Sequence, residues 1–190
     1  MPSVAIVYHS GFGHTERVAA AIAEGAGEVA GTDVLLMDCE EAAERLDELD
    51  GADAIVFGCP TYMGGPSAEF KRFIDASGRK WLSQGWRDKL AGGFTNSGSY
   101  SGDKLATLQA FSILAAQHGM IWVGQAEMPP MIKGNHGDPP DAVNRIGSFL
   151  GMMAQSDNDD AAVTPPPGDL ETARRYAARI AGAARRWNGV

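Results

Sequence analysis

The stretch Ser3-Val4-Ala5-Ile6-Val7-Tyr8-His9-Ser10-Gly11-Phe12-Gly13-His14-Thr15 decides the fold. A β-branched apolar run breaks into a loop with two glycines, and an amphipathic stretch starts where the loop ends. Beyond Thr15 the residues Val18, Ala19, Ile22, Ala23 and Ala26 recur at spacings of three and four, which predicts a helix to about Ala26, with Gly27 near its end. A strand over Ser3–His9 feeding such a helix is the opening unit of a parallel sheet. The alternation then repeats. Asp33–Met37 reads as a strand, Ala42–Leu49 as a short helix and Ala54–Gly58 as the third strand. Ser67–Ser77 reads as a helix with Phe70, Phe73 and Ile74 inward, and Leu90–Thr95 as the fourth strand. Lys104–His118 is a long helix stopped by Gly119, Met120–Val123 opens the fifth strand, and Leu170–Trp187 is the closing helix. The pattern predicts a doubly wound, five-stranded parallel sheet of order 2-1-3-4-5 with helices on both faces.

A chain of 190 residues without a shift in composition is expected to form a single domain over 1–190. The segment 124–168 fits the alternation poorly, because it carries Pro129-Pro130, Pro139-Pro140 and Pro165-Pro166-Pro167. Within it, Ile146–Leu150 is expected to complete the sheet after an insertion, and the Asp- and Pro-rich Asp157–Gly168 to be a solvated connection. A net charge of -8 and a pI near 4.9 would repel phosphate backbones, so nucleic acid is not an expected partner. Met1-Pro2-Ser3 runs straight into the first strand without a basic, apolar leader, so the expectation is a cytoplasmic protein without a membrane partner. Cys39 and Cys59 lie far apart without a CxxC spacing and read as buried small hydrophobes. His9 and His136 share no ligand spacing with other residues, so no metal is expected.

The loop Ser10-Gly11-Phe12-Gly13-His14-Thr15 sits at a strand-to-helix switch, where anions bind. Free backbone N–H groups at the helix start, the helix dipole and two glycines let the chain close around a phosphate. Ser10 and Thr15 add hydroxyl donors. The loop has no lysine and lacks the spacing of a nucleoside triphosphate loop, so a monophosphate ester fits better. A dinucleotide is the rival ligand, since Gly11-x-Gly13 is followed by Asp38 after the second strand. Glu16 stands where a third glycine would be needed.

Two more loops follow the carboxyl ends of strands. After the third strand come Pro60, Thr61, Tyr62, Met63 and Gly64, which offer a ring, a thioether and backbone amides to a flat heterocycle. After the fourth come Asn96, Ser97, Gly98, Ser99, Tyr100 and Ser101, able to hydrogen-bond a ring edge. Together the three loops describe a mononucleotide with a flat ring.

On these residues the chain resembles the flavodoxin-like NAD(P)H:quinone oxidoreductases related to the Trp-repressor-binding protein. The likeness rests on Gly13-His14, Gly58-x-Pro60-Thr61, Phe73-Ile74-Asp75 leading to Trp81, Lys89-Leu90-Ala91, Ser97-Gly98-Ser99 and His118-Gly119-Met120. The resemblance implies FMN as cofactor, with Ser10 to Thr15 on the phosphate, Thr61 to Met63 on the isoalloxazine ring and Ser97 to Ser101 along the ring edge. It implies NAD(P)H as co-substrate and a quinone-like acceptor. By analogy Phe12 contacts the nicotinamide, Trp81 lies over the substrate pocket, and His118 reaches the flavin site from a neighbouring subunit. Trp81 and His118 are therefore the catalytic candidates. A homodimer or homotetramer is implied as well, although the short link between the second and third strands departs from the longer insertion of the family's tetramers. Asn96 and Tyr100 stand where the family has smaller residues, and Asn135-His136-Gly137 has no counterpart. The expected reaction is ping-pong hydride transfer through FMN. The alternatives are a flavodoxin-type electron carrier docking on a redox protein, and a regulatory adaptor for which the charge offers no support.

Overall fold

The computed structural model describes residues 1–130 and 140–189. Strands β1 (Ser3–Tyr8), β2 (Asp33–Asp38), β3 (Ala54–Tyr62) and β5 (Leu90–Ser97) lie in the order β2-β1-β3-β5, all parallel. The fifth position is shared. β6 (Ile121–Trp122) pairs with Leu90 and Ala91 at the start of β5, and β7 (Met152–Gln155) pairs with Phe94 to Ser97 at its end. The sheet is the predicted doubly wound one, with its last strand interrupted by the insertion.

Alternation along the strands sorts the core onto two faces. Val4, Ile6, Val56 and Phe94 face one way and are covered by α1 (His14–Gly27) and α6 (Pro167–Trp187). Ala5, Val7, Ile55 and Phe57 face the other way, onto α2 (Cys39–Glu44), α3 (Ala68–Ala76) and α5 (Lys104–Gln117). On that second face Phe57, Phe70, Phe73 and Phe111 form a tilted aromatic cluster with centroids 5.0 to 6.3 Å apart, the spacing of favourable edge-to-face contacts. On the first face α1 and α6 touch backbone to backbone. A Cβ on Gly25 would stand 2.1 Å from the Arg174 carbonyl oxygen, so no larger residue fits between the helices.

Several elements differ from the sequence expectation. The helix expected over Ala42–Leu49 is α2 followed by a 3-10 turn over Leu46–Gly51, because the chain kinks at Arg45 (φ -113°, ψ 36°). Asp38 caps α2, its carboxylate accepting from the Glu40 N–H at 2.8 Å. β3 runs on to Tyr62, and β4 (Gly65–Pro66) folds back antiparallel on it through Met63 and Gly64, both at positive φ. The helix expected to end at Ser77 is followed directly by α4 (Gly78–Ser83).

The strand expected over Ile146–Leu150 is shifted to Met152–Gln155. Ile146 and Leu150 do pack on the core, but Asn144 and Gly147 at positive φ coil the chain there. Burial without extension produced the misleading pattern. Asn135, His136 and Gly137 lie outside the described residues. Cys39 and Cys59 are buried and unbonded to each other, and burial pushes both thiols up to about 12. Among the described residues, no helix is long and apolar enough to cross a membrane.

Candidate functional site

Parallel strands deliver their carboxyl ends to one edge of the sheet, and the loops there surround a cavity of about 480 Å³. Ser10, Gly11, Phe12, His14 and Thr15 line it from the end of β1 and the start of α1. Pro60 and Tyr62 line it from β3, and Asn96, Ser97 and Gly98 from β5. Three loops that are far apart in sequence thus converge as the order β1-β3-β5 requires.

The first loop is built to take an anion. Gly13 is the N-cap of α1 at φ +85°, and no side chain caps the first-turn amides. Ser10 Oγ is buried without a hydrogen-bond partner among the described residues, the state of a hydroxyl that a ligand oxygen would satisfy. Tyr62 leans on the same loop, since a Cβ on Gly11 would come 2.5 Å from its hydroxyl. Phe12 and Tyr62 stand at 78% and 40% exposure beside the cavity, leaving an aromatic rim open to solvent. An orphaned hydroxyl, free helix-start amides and a neighbouring ring are the donor set that a phosphate on a flat heterocycle needs.

A fourth wall comes from Ser156 to Ala161, the segment expected to be a solvated connection. It follows β7 directly, so β5 places it. The Ser156 N–H donates to Ser97 O at 3.2 Å and its Oγ bonds Asn96 Oδ1 at 3.0 Å. From the other side His14 Nε2 donates to Asp159 O at 2.8 Å, and Arg17 Nη1 to Ala161 O at 2.6 Å. Polarity hid this wall, because Asp-rich sequence reads as solvent-facing. The available signal was position, a loop leaving the carboxyl end of a sheet strand.

Other predicted residues lie outside the cavity. Thr61 turns inward, its hydroxyl 2.8 Å from those of both Thr95 and Thr107. Met63 projects into solvent, and with Gly64 it forms the turn into β4. Ser99, Tyr100 and Ser101 follow the lining residues in the chain and do not line the cavity. Tyr100 donates its hydroxyl to Arg145 O at 2.8 Å, and the Arg145 guanidinium carbon sits 5.2 Å above its ring. Tyr100 is thereby tied to Arg145 of the insertion.

Trp81 and His118 sit at the opposite edge of the sheet, because α4 precedes β5 and α5 runs back from the cavity to the start of β6. There they line a separate groove of about 550 Å³ with Ile74, Ile113 and Leu114. Trp81 is half exposed, whereas His118 is 2% exposed. Ser77 Oγ donates to Ile74 O at 2.7 Å, so it accepts from His118 Nε2–H at 3.0 Å. Nδ1 is then a buried acceptor with no partner among the described residues, and the ring packs 4.5 Å from Trp86. Burial holds the imidazole pKa below its usual value. A neutral folded-state imidazole costs stability in acid, since the unfolded chain takes up the proton first. Stability is therefore expected to fall as the pH drops through about 6.5 toward the lower folded value. Denaturant melts from pH 8 to 5 should show a steeper acid loss in the wild type than in His118→Gln; equal slopes would remove the effect.

Sheet order, crest cavity and phosphate-type loop define a flavodoxin-like α/β protein. The sequence profile described as NADPH-dependent FMN reductase matches residues 10–129. The chain belongs to that family. It is 44% identical over 185 residues to a protein of Pseudomonas aeruginosa named Flavodoxin FldP, covering 95% of this chain and 96% of that one. It is 33% identical to a protein of Geotalea uraniireducens named NAD(P)H dehydrogenase (quinone), covering 84% and 91%. A crystal structure described as a flavodoxin, WrbA-like protein from Agrobacterium tumefaciens superposes with a TM-score of 0.75 at 43% identity, over 98% of this chain and 99% of that one. The resemblance carried by short motifs in the sequence is thus confirmed.

Proposed function

We propose that this chain, as a single domain over 1–190, binds FMN in the crest cavity and uses it to carry electrons from NAD(P)H to a quinone-like acceptor in a ping-pong cycle. The observation that carries the reading is the buried, unpartnered Ser10 Oγ beside the free amides of α1. FMN, when bound, supplies the hydride and electron chemistry. The protein's task is placement. Ser10, Thr15 and the amides after Gly13 hold the phosphate, and Asn96 to Gly98 present polar groups to the ring edge. Phe12 and Tyr62 flank an open mouth, where donor and acceptor can stack in turn. Trp81 and His118 act in this reading only across a subunit boundary, in a homodimer or homotetramer, because they line a groove separate from the crest cavity of their own chain. A cytoplasmic setting accords with the acidic composition.

A visible spectrum of purified protein with added FMN tests the proposal. Flavin absorbance that follows the protein, bleaches with NADH or NADPH and returns with benzoquinone is expected. Flavin that binds without being bleached catalytically would favour the second reading, an electron carrier. The relative named Flavodoxin FldP supports that alternative.

A further inference from the structure

We infer that Lys104 is a positioning residue for the cavity: its buried ammonium grips the backbone of the loop that carries Asn96, Ser97 and Gly98, and so sets how tightly that loop closes on the flavin ring edge. The inference rests on FMN being the ligand of that cavity. Lys104 is the first residue of α5 and is 0% exposed. Both facts are unfavourable for a lysine, since the start of a helix repels cations and a buried ammonium loses its hydration. Its Nζ donates to Ser99 O, and to Tyr100 O at 3.3 Å, the two residues that follow the lining Gly98. Other anchors hold the flanks of the loop between Gly98 and Asp103: Gln155 Nε2 reaches Gly98 O at 3.2 Å, and Tyr100 is tied to Arg145. The lysine joins two successive carbonyls of this turn.

Among the described residues, no carboxylate is hydrogen-bonded to the ammonium. Asp169 attracts the ammonium, but its carboxylate is already bonded to Arg145 and to the Gln155 N–H. Arg145 repels the ammonium. Asp103, the preceding residue, turns its carboxylate toward Gly64, where a Cβ would lie 4.0 Å from Oδ2. Tyr100 faces Arg145. Burial outweighs the attraction and brings the Lys104 pKa down to about 8. The grip is consequently sensitive to alkali. Below that pH the ammonium holds both carbonyls, and above it a neutral amine holds them less firmly.

The experiment compares the wild type, Lys104→Met and Lys104→Gln, with FMN titrated by quenching of its fluorescence between pH 7 and 9.5. Hydrogen exchange of residues 98–103 is followed in flavin-free protein at the same pH values. The wild-type Kd is expected to rise several-fold as the pH passes about 8. The variants should bind roughly tenfold more weakly at pH 7 and show no such step, with faster exchange in the loop. A step of equal size in a folded variant, or wild-type affinity in both variants, would overturn the inference, as would a flat wild-type profile. Should Lys104→Met fail to fold, Lys104→Gln and the wild-type profile still decide. Absence of FMN binding in the wild type would defeat the flavin reading by itself. Loop exchange that still depended on Lys104 and pH would show that the failure lay in that reading and not in the lysine's grip.

Discussion

Replacing Gly13 by valine is expected to weaken FMN binding about a hundredfold, close to 2.8 kcal/mol, while leaving the protein folded. At φ +85° the position is left-handed, which costs an ordinary residue about 1–2 kcal/mol and a β-branched one more. Added atoms would also press on the crest wall, since a Cβ there lies 3.1 Å from that of Ala161. The chain's easiest relief is to rotate the peptides on either side, which turns the free amides of α1 away from the phosphate position. Riboflavin, which lacks the phosphate, provides the control. Fluorescence titrations should show FMN affinity collapsing toward that of riboflavin, whose own affinity changes little. Loss of both ligands in parallel would place the phosphate elsewhere.

The largest stability effect is expected at Asp169, in the first turn of α6. Asp169 accepts two bonds from Arg145, at 2.8 and 3.0 Å, and one from the Gln155 N–H at 2.8 Å. The two side chains are 2% and 6% exposed. Burial raises the Asp169 pKa even against the opposing pull of Arg145, so desolvation here is comparable with attraction. Asp169→Ala would take two hydrogen bonds and the facing carboxylate from the buried Arg145, which keeps its bond to Gln155 Oε1 at 3.0 Å, and is expected to cost about 3–5 kcal/mol, roughly 10 °C or more in Tm for a chain of this size. Arg145→Met combined with Asp169→Leu should recover most of that loss, because both burdens leave together. A single variant melting within a degree or two of the wild type would mean that water already reaches the pair.

How much could be read beforehand depended on the kind of signal. Strand β1, its glycine loop and α1 were legible because a period-two run, two glycines and a period-near-four run follow one another without a gap. The convergence of Ser10, Tyr62 and Asn96 followed once the strand order was fixed, since topology alone puts those loops side by side. The aspartate wall was not legible, because its residues are held by carbonyl contacts from His14 and Arg17 that leave no mark in composition. The direction of the Thr61 side chain was not legible either, because the hydroxyls of Thr95 and Thr107 that it meets on the inner side come from distant segments. Trp81 and His118 came from family likeness, and nothing in their local sequence shows that their helices run away from the cavity. Lys104 was read as an ordinary helix start, because its role arises only when the chain doubles back on Ser99.

The shared fifth position of the sheet protects the molecule's boundary. Two and four residues, separated by a long excursion, are too short and too discontinuous to offer a free ladder to another chain. Because β5 templates both fragments separately, changes in the length of the excursion should leave the register intact. The same border can therefore accept new loops without inviting strand-to-strand aggregation.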